Sequence, residues 1–318
     1  MSARFAIAAC LLAAACQGGA TGQAPVSTDV RDAASGKLAP CALEPGRSWR
    51  FETFEFLGGA HTTDYGDGAP RNAMQVLAQS AVSMDIERQI ASGIVSFGLH
   101  IAGFDPSALG GLSKTAVQSM TLPHEGHPDG SAAVTYCADP EQFDVECKSW
   151  SHSDELELSG AAIVARAGLW PVVARNFGVG TIDFRRARIT IENGVRDQGA
   201  GASPWDELDV KLEAIWPACS LANTIAFGGT FLLEFLLEQD NPDGTYSVAP
   251  DYDLAAQRGL EGGPPVIRRV AKVTSCRIGE EVVTGRLCAC DPRIDVGYSV
   301  VVHLRATRAE VRGLCDEP

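Results

Sequence analysis

The densest run of potential metal ligands is His124-Glu125-Gly126-His127-Pro128-Asp129. Two histidines three residues apart with an acid between them could take a Zn²⁺ ion in a loop, with His152 as a third ligand. The pattern is not the His-Glu-x-x-His of zinc proteases, because His127 arrives one residue too early for that motif's i, i+4 helical spacing. Pro123, Gly126, Pro128 and Gly130 mark an irregular polar turn instead. Asp64-Tyr65-Gly66-Asp67-Gly68 and Asp251-Tyr252-Asp253 carry the oxygen ligands that Ca²⁺ prefers, yet neither has the spaced acids and closing Glu of an EF-hand loop. Asp-Gly is also ordinary turn chemistry. The expectation is therefore a protein without an obligatory cofactor, with Zn²⁺ or Ca²⁺ as the alternatives.

Nucleophilic catalysis finds less support. There is no Gly-x-Ser-x-Gly elbow and no Ser-x-x-Lys. His100 and His303 fall within predicted strands, where a structural role is expected. No P-loop is present, and Gly178-Val-Gly180 leads into a predicted strand rather than the helix a dinucleotide fingerprint requires. With 40 acidic residues, chance carboxylate pairs are certain, and only their spatial separation could identify glycoside chemistry. Trp49, Trp150, Trp170, Trp205 and Trp216 are candidate sugar-stacking platforms. Trp150 and Trp205 sit in polar, loop-like sequence, whereas Trp49 and Trp216 read as strand-end core residues. No catalytic residue can be assigned from the sequence.

The chain opens MSARFAIAACLLAAACQGGATGQ, with Arg4 ahead of the apolar run Phe5–Ala15 and small or polar residues after it. The run is well short of the roughly 20 residues a bilayer-spanning helix needs, and its charged head, apolar middle and small-residue exit are those of an export signal. It ends Leu12-Ala-Ala-Ala-Cys16, and in this segment the chain resembles bacterial lipoprotein signals. Leu12 stands four residues before the cysteine, where the common form has three. The resemblance implies removal of residues 1–15, acylation of Cys16 as the new first residue, and membrane attachment through that lipid. Gln17 in place of the aspartate that retains such proteins at the inner membrane implies the outer membrane. The alternatives are a plain secretory cut near Ala15 or Ala20, giving a secreted or periplasmic protein, and Cys10 as a rival acylation point. Residues 16–40, with Gly18, Gly19, Gly22, Pro25 and Ser27, read as a flexible tether.

Export changes the meaning of the cysteines. After Cys16 eight remain: Cys41, Cys137, Cys147, Cys219, Cys276, Cys288, Cys290 and Cys315. An even set in an oxidising compartment reads as disulfides. The most local pairing is Cys137 with Cys147, while Cys276, Cys288, Cys290 and Cys315 crowd the C-terminus and are expected to pair among themselves. Cys41 and Cys219 would then staple the start of the domain to its middle. In Arg286-Leu-Cys-Ala-Cys-Asp-Pro292, two cysteines one residue apart would close a small strained ring, so two outside partners are favoured.

Loss of residues 1–15 would remove one base and no acid, leaving 25 Lys and Arg against 40 Asp and Glu. Such a surface argues against nucleic-acid partners, which are held mainly by Lys and Arg on phosphates.

The elements that must position all these groups read as strands. Expected strands cover 48–57, 93–104, 155–166, 182–191, 208–216, 264–276 and 297–311. In the last, Val300, Val302, Leu304 and Ala306 alternate with Ser299, His303, Arg305 and Thr307, with Val301 out of step. Asn193-Gly194 signals a hairpin and Asn241-Pro-Asp-Gly244 a turn after the apolar run at 231–237. Residues 72–92 carry helical spacing, with a break near Ser83. The fold class is mainly β: a disulfide-stapled β-sandwich or open barrel with one or two short helices, over residues 41–318, with a possible sub-boundary at 199–204. The functional expectation is an envelope-anchored protein acting in binding or structure, its partner an unassigned protein or carbohydrate. The alternative is an envelope hydrolase or metal-dependent carbohydrate-active protein.

Overall fold

The computed structural model describes residues 43–75, 87–91, 96–107, 117–121, 135–143, 148–153, 155–173, 181–194, 203, 205–217, 250–260, 275–278, 281–284 and 296–315. All belong to the second of the chain's two compact units, Met1–Ala39 and Pro40–Pro318. Cys16, the expected leader and tether at residues 1–40, nearly all of 199–204 and the turn expected at 241–244 lie outside the described residues.

Fourteen strands are described: β1 Gly46–Phe56, β2 Phe97–Ala102, β3 Val117–Thr121, β4 Thr135–Ala138, β5 His152–Ser153, β6 Glu155–Ser159, β7 Ala162–Val173, β8 Thr181–Asn193, β9 Glu207–Pro217, β10 Tyr252–Asp253, β11 Arg258–Gly259, β12 Ser275–Ile278, β13 Glu281–Thr284 and β14 Val296–Leu314. Twelve form one sheet whose main path is β5-β3-β2-β1-β14-β9-β8-β7-β6, while β12 and β13 pair as a separate hairpin. Every pairing is antiparallel except β4 on the end of β14. Among the described residues the helical ones are few: 87–91, with 3-10 turns at 73–75 and 140–142. The mainly β expectation holds, in its open-barrel form.

The sheet is not closed by a continuous ladder, but its two ends meet in one stretch of chain. His152 and Ser153 pair with β3, and Glu155 to Ser159 pair with β7. Consecutive residues thus serve opposite ends of the same sheet. Two serines reinforce this seam: Ser153 Oγ donates to the Arg166 carbonyl at 2.5 Å, and Ser151 Oγ donates to that of Pro171.

The interior face is apolar. Leu208, Val210, Leu212, Ala214 and Trp216 on β9 meet Val296, Tyr298, Val300, Val302, Leu304 and Ala306 on β14 in one core. Trp49 closes one end, its indole donating to the Trp205 carbonyl at 2.8 Å and its ring edge-on to Phe104 at 5.3 Å. Interior positions change parity where a strand carries an extra residue. On β1, Trp49 and Phe51 give way to Phe54 and Phe56 across a bulge. On β8, Phe184 gives way to Ala187, Ile189 and Ile191 at Arg186, whose φ of 51° is left-handed.

Four expectations need correcting. The single strand at 155–166 is a hairpin, β6 and β7, turning at Gly160, whose φ of 65° suits glycine. Asn193-Gly194 ends β8 but makes no two-residue turn, since β8 and β9 are joined by residues 194–206. β14 runs on to Leu314, and its first half is buried on both faces: Ser299 and Val301, read as a wet position and an exception, are each 0% exposed. A second layer covers that outer face. Finally, Cys137 bonds to Cys315 rather than to Cys147, because β4 runs parallel to the end of β14 and brings the two Cα atoms within 4.9 Å. Cys315 therefore does not pair within the C-terminal group. Cys41, Cys147, Cys219, Cys288 and Cys290 lie outside the described residues, as does the side chain of Cys276.

Candidate functional site

The polar chemistry gathers on the outer face of β9 and β14, in a covered half and an open half. The covered half joins the two Asp-Tyr motifs, 187 residues apart in the chain. Tyr65 and Tyr252 meet edge to face at 5.6 Å over Ile215. Arg186, thrown outward by the bulge, donates to the Tyr65 carbonyl at 2.9 Å and to the Tyr252 hydroxyl, with its guanidinium over the Tyr252 ring. Tyr65 in turn donates to the Ala214 carbonyl at 2.7 Å. Burial pushes its hydroxyl pKa far up, so it stays a donor.

The four acids of these motifs face hydrogen-bond donors. Asp64 Oδ1 accepts the N–H groups of Gly66, Asp67 and Gly68 at 2.8 to 3.1 Å. Asp67 accepts Arg71 at 2.6 Å and the Gly259 N–H at 2.7 Å. The hydrogen bond from Arg71 leads the effects that bring its carboxyl down to about 2. Asp253 accepts the Ala256 N–H at 2.8 Å. Asp251 is half-buried, which pushes its carboxyl up, and it accepts both the N–H and hydroxyl of Ser299. In this structure the four acids act as a clamp, holding loops 57–72 and 251–260 onto the sheet. A side chain at Gly259 would have to displace the Arg71 guanidinium, which lies 1.7 Å from the Cβ position, and so disturb its contact with Asp67.

The open half is a strip of alternating charge. His303 donates from Nε2 to Asp209 at 2.6 Å, and its Nδ1 lies 3.8 Å from Glu55. Arg305 approaches the same Asp209 at 3.8 Å. Glu213, only 4% exposed, links the halves: it accepts the Thr63 hydroxyl and Lys211, both at 2.7 Å, with Arg188 at 3.6 Å. These pairs cross β1, β14, β9 and β8, so they tie four strands together and present a hydrated, charge-balanced face.

Of the proposed zinc ligands, His124 and His127 lie outside the described residues. His152 sits in β5 with Nδ1 donating to the Ser149 carbonyl at 2.6 Å. Among the described residues no three His, Cys, Asp or Glu side chains converge as an ion site. His100 is buried opposite Ser48: the imidazole donates to the Glu44 carbonyl at 2.9 Å and accepts the Ser48 hydroxyl at 2.9 Å. That spacing is within reach of a nucleophile–base pair, but both residues are buried and the pair fastens the start of the domain to β1 and β2.

Trp150 is exposed, at 54%, on a short loop braced by its backbone N–H to the Gln142 carbonyl. Trp205, read beside it as loop-like, is instead buried against Trp49 and Phe104. Glu213, Arg186 and Arg71 were not singled out from the sequence. Glu213 occupies a wet-face position in the alternation of β9, and only the distant Thr63 loop buries it.

No known protein family matches the chain, nor does any curated protein sequence or solved structure.

Proposed function

We propose that the chain is a lipid-anchored envelope protein whose β-rich domain acts by binding or as envelope structure. The observation that carries this reading is the Cys137–Cys315 pair, joined across 178 residues, in a chain that opens with an export-type leader ending at Cys16. A disulfide persists where the surroundings oxidise thiols, and the leader points to such a compartment. The acids and histidines of the outer face are engaged in holding loops and strands, a use that suits a rigid display scaffold.

Intact mass of the protein extracted from membranes tests this. The expected product lacks residues 1–15, carries acyl mass on Cys16 and has no free thiols. Cys16→Ser should move it to the soluble fraction. A chain that keeps Met1, or one that partitions the same way with Cys16→Ser, would sink the anchor.

Carbohydrate contact is the second reading, favoured by the exposed indole of Trp150. Trp150→Ala should abolish retention on immobilised envelope glycan if that reading is right.

A further inference from the structure

The exposed apolar side chains gather in one sector of the surface. Among the described residues the large ones are Trp150 at 54%, Leu158 at 43% and Leu169 at 42%. All three lie on β6, on β7 or beside β5, at the seam of the sheet. Trp150 stands between Ser149 and Ser151, which are both buried, so its ring is turned away from the interior. Ser151 bonds the Pro171 carbonyl, and two residues from it on β7 is Leu169, paired with the exposed Arg185 and facing outward with it. The seam therefore carries Trp150 on one side and Leu169 on the other. On β6 and β7 the exposed Glu157 and Arg166 pair with each other at 2.9 Å, which neutralises both.

The chain enters the domain beside the same sector. Leu43 packs on a small second core of Tyr136, Ala138 and Phe143. Phe143 is bridged to Ser149, and Trp150 donates its backbone N–H to the Gln142 carbonyl, so the entry point and the indole share one support. Only 26 residues, Gln17 to Ala42, separate Cys16 from Leu43. Fully extended they reach about 90 Å. A domain anchored at Cys16 stays within that distance of the bilayer, where a contact too weak to hold a free protein becomes an intramolecular one. Tryptophan suits that boundary, because its ring is apolar and its N–H is polar. A chain of net charge −14 is repelled by anionic lipid, which leaves the uncharged headgroup surface as the better partner.

We propose that the sector at Trp150 and Leu169 rests on the membrane that holds the anchor, with the indole at the headgroup level of a zwitterionic phospholipid surface. This rests on the lipid anchor proposed above, and it claims for lipid the indole that the glycan reading claims for sugar.

The test uses the acylated full chain in phosphatidylcholine vesicles. Emission of Trp150 is read as the difference between the parent and Trp150→Phe; should that variant melt earlier, Trp150→Tyr supplies the difference instead. On vesicles this emission should lie further to the blue than in the soluble Cys16→Ser chain and should resist quenching by acrylamide. It should be lost when the lipid is brominated near the glycerol end of its chains. Leu169→Gln should restore acrylamide quenching while the protein still floats with the vesicles. A parent that floats yet leaves Trp150 open to acrylamide overturns the contact and leaves the anchor standing, whereas one that does not float overturns both. Equal shielding in Leu169→Gln overturns the sector as drawn. Shielding of Trp150 in the lipid-free Cys16→Ser chain also overturns the proposal: if it rises with protein concentration the partner is a second copy, and if it needs added envelope glycan the partner is sugar.

Discussion

Protonation of His100 would break a buried contact of the fold. The imidazole is buried and uses its one N–H on the Glu44 carbonyl while its other nitrogen accepts from Ser48. Burial holds its pKa below the ordinary histidine value. The unfolded chain therefore takes up a proton before the folded one does. The stability this gives is present above the unfolded pKa and is lost as pH falls through the folded value. His100→Gln can keep one donor and one acceptor without titrating, so its urea midpoint should change less between about pH 7 and 5 than that of the parent. Asp67 follows the same sign at lower pH. Its carboxyl is held down to about 2 by Arg71, so its contribution is lost as pH falls towards that value. Asp67→Asn should start less stable and show a flatter acid limb in circular dichroism. The histidines were legible as strand residues, but their partners, Glu44 and Asp209, lie 56 and 94 residues away and leave no local trace.

At the scale of the element, much more was legible. The strands 208–216 and 297–311 were legible as β9 and β14, whereas the bulges between Phe51 and Thr53 and between Arg185 and Arg188 were not read from the sequence. What alternation cannot register is a second layer. Ser299 and Glu213 look like wet positions, and only loops from residues 57–72 and 251–260 bury them. Parallel pairing of β4 with the end of β14 is equally silent, since no short connection predicts it. That pairing builds a satellite core of Tyr136, Ala138 and Phe143 under the Cys137–Cys315 bond. Replacing both cysteines by serine should cost about 3–5 kcal/mol, given so long a closed loop. Hydrogen exchange should then speed up at 135–143 and 309–315 before it does in β9. Equal protection in both places would show that the bond does not hold β4 in place.

The whole molecule is an acidic chain, net −14, and among the described residues most aromatic rings lie in the core while most charged pairs lie on the outer face. Glu213 tests how far the outer pairs support that shape. Glu213→Ala removes an acceptor from Thr63 and Lys211 and leaves a buried hydroxyl unmet, so a loss of about 1–3 kcal/mol is expected in chemical denaturation. Glu213→Gln, which can still accept from Thr63, should lose less. The fold class was open to the sequence because strand periodicity is local. The choice of an open barrel was not, because it depends on where the ends of the sheet come to rest. They come to rest on one hoop of chain, with β3 on His152–Ser153 and β7 on Glu155–Ser159. The circumference is thus set by counting residues along a single strap. Lengthening the strap by one residue between Ser153 and Glu155 would re-time one rim against the other, and cutting it would let the sheet unroll while every other ladder stayed intact. New chain ends placed there should give a protein that keeps its strands and loses its inside.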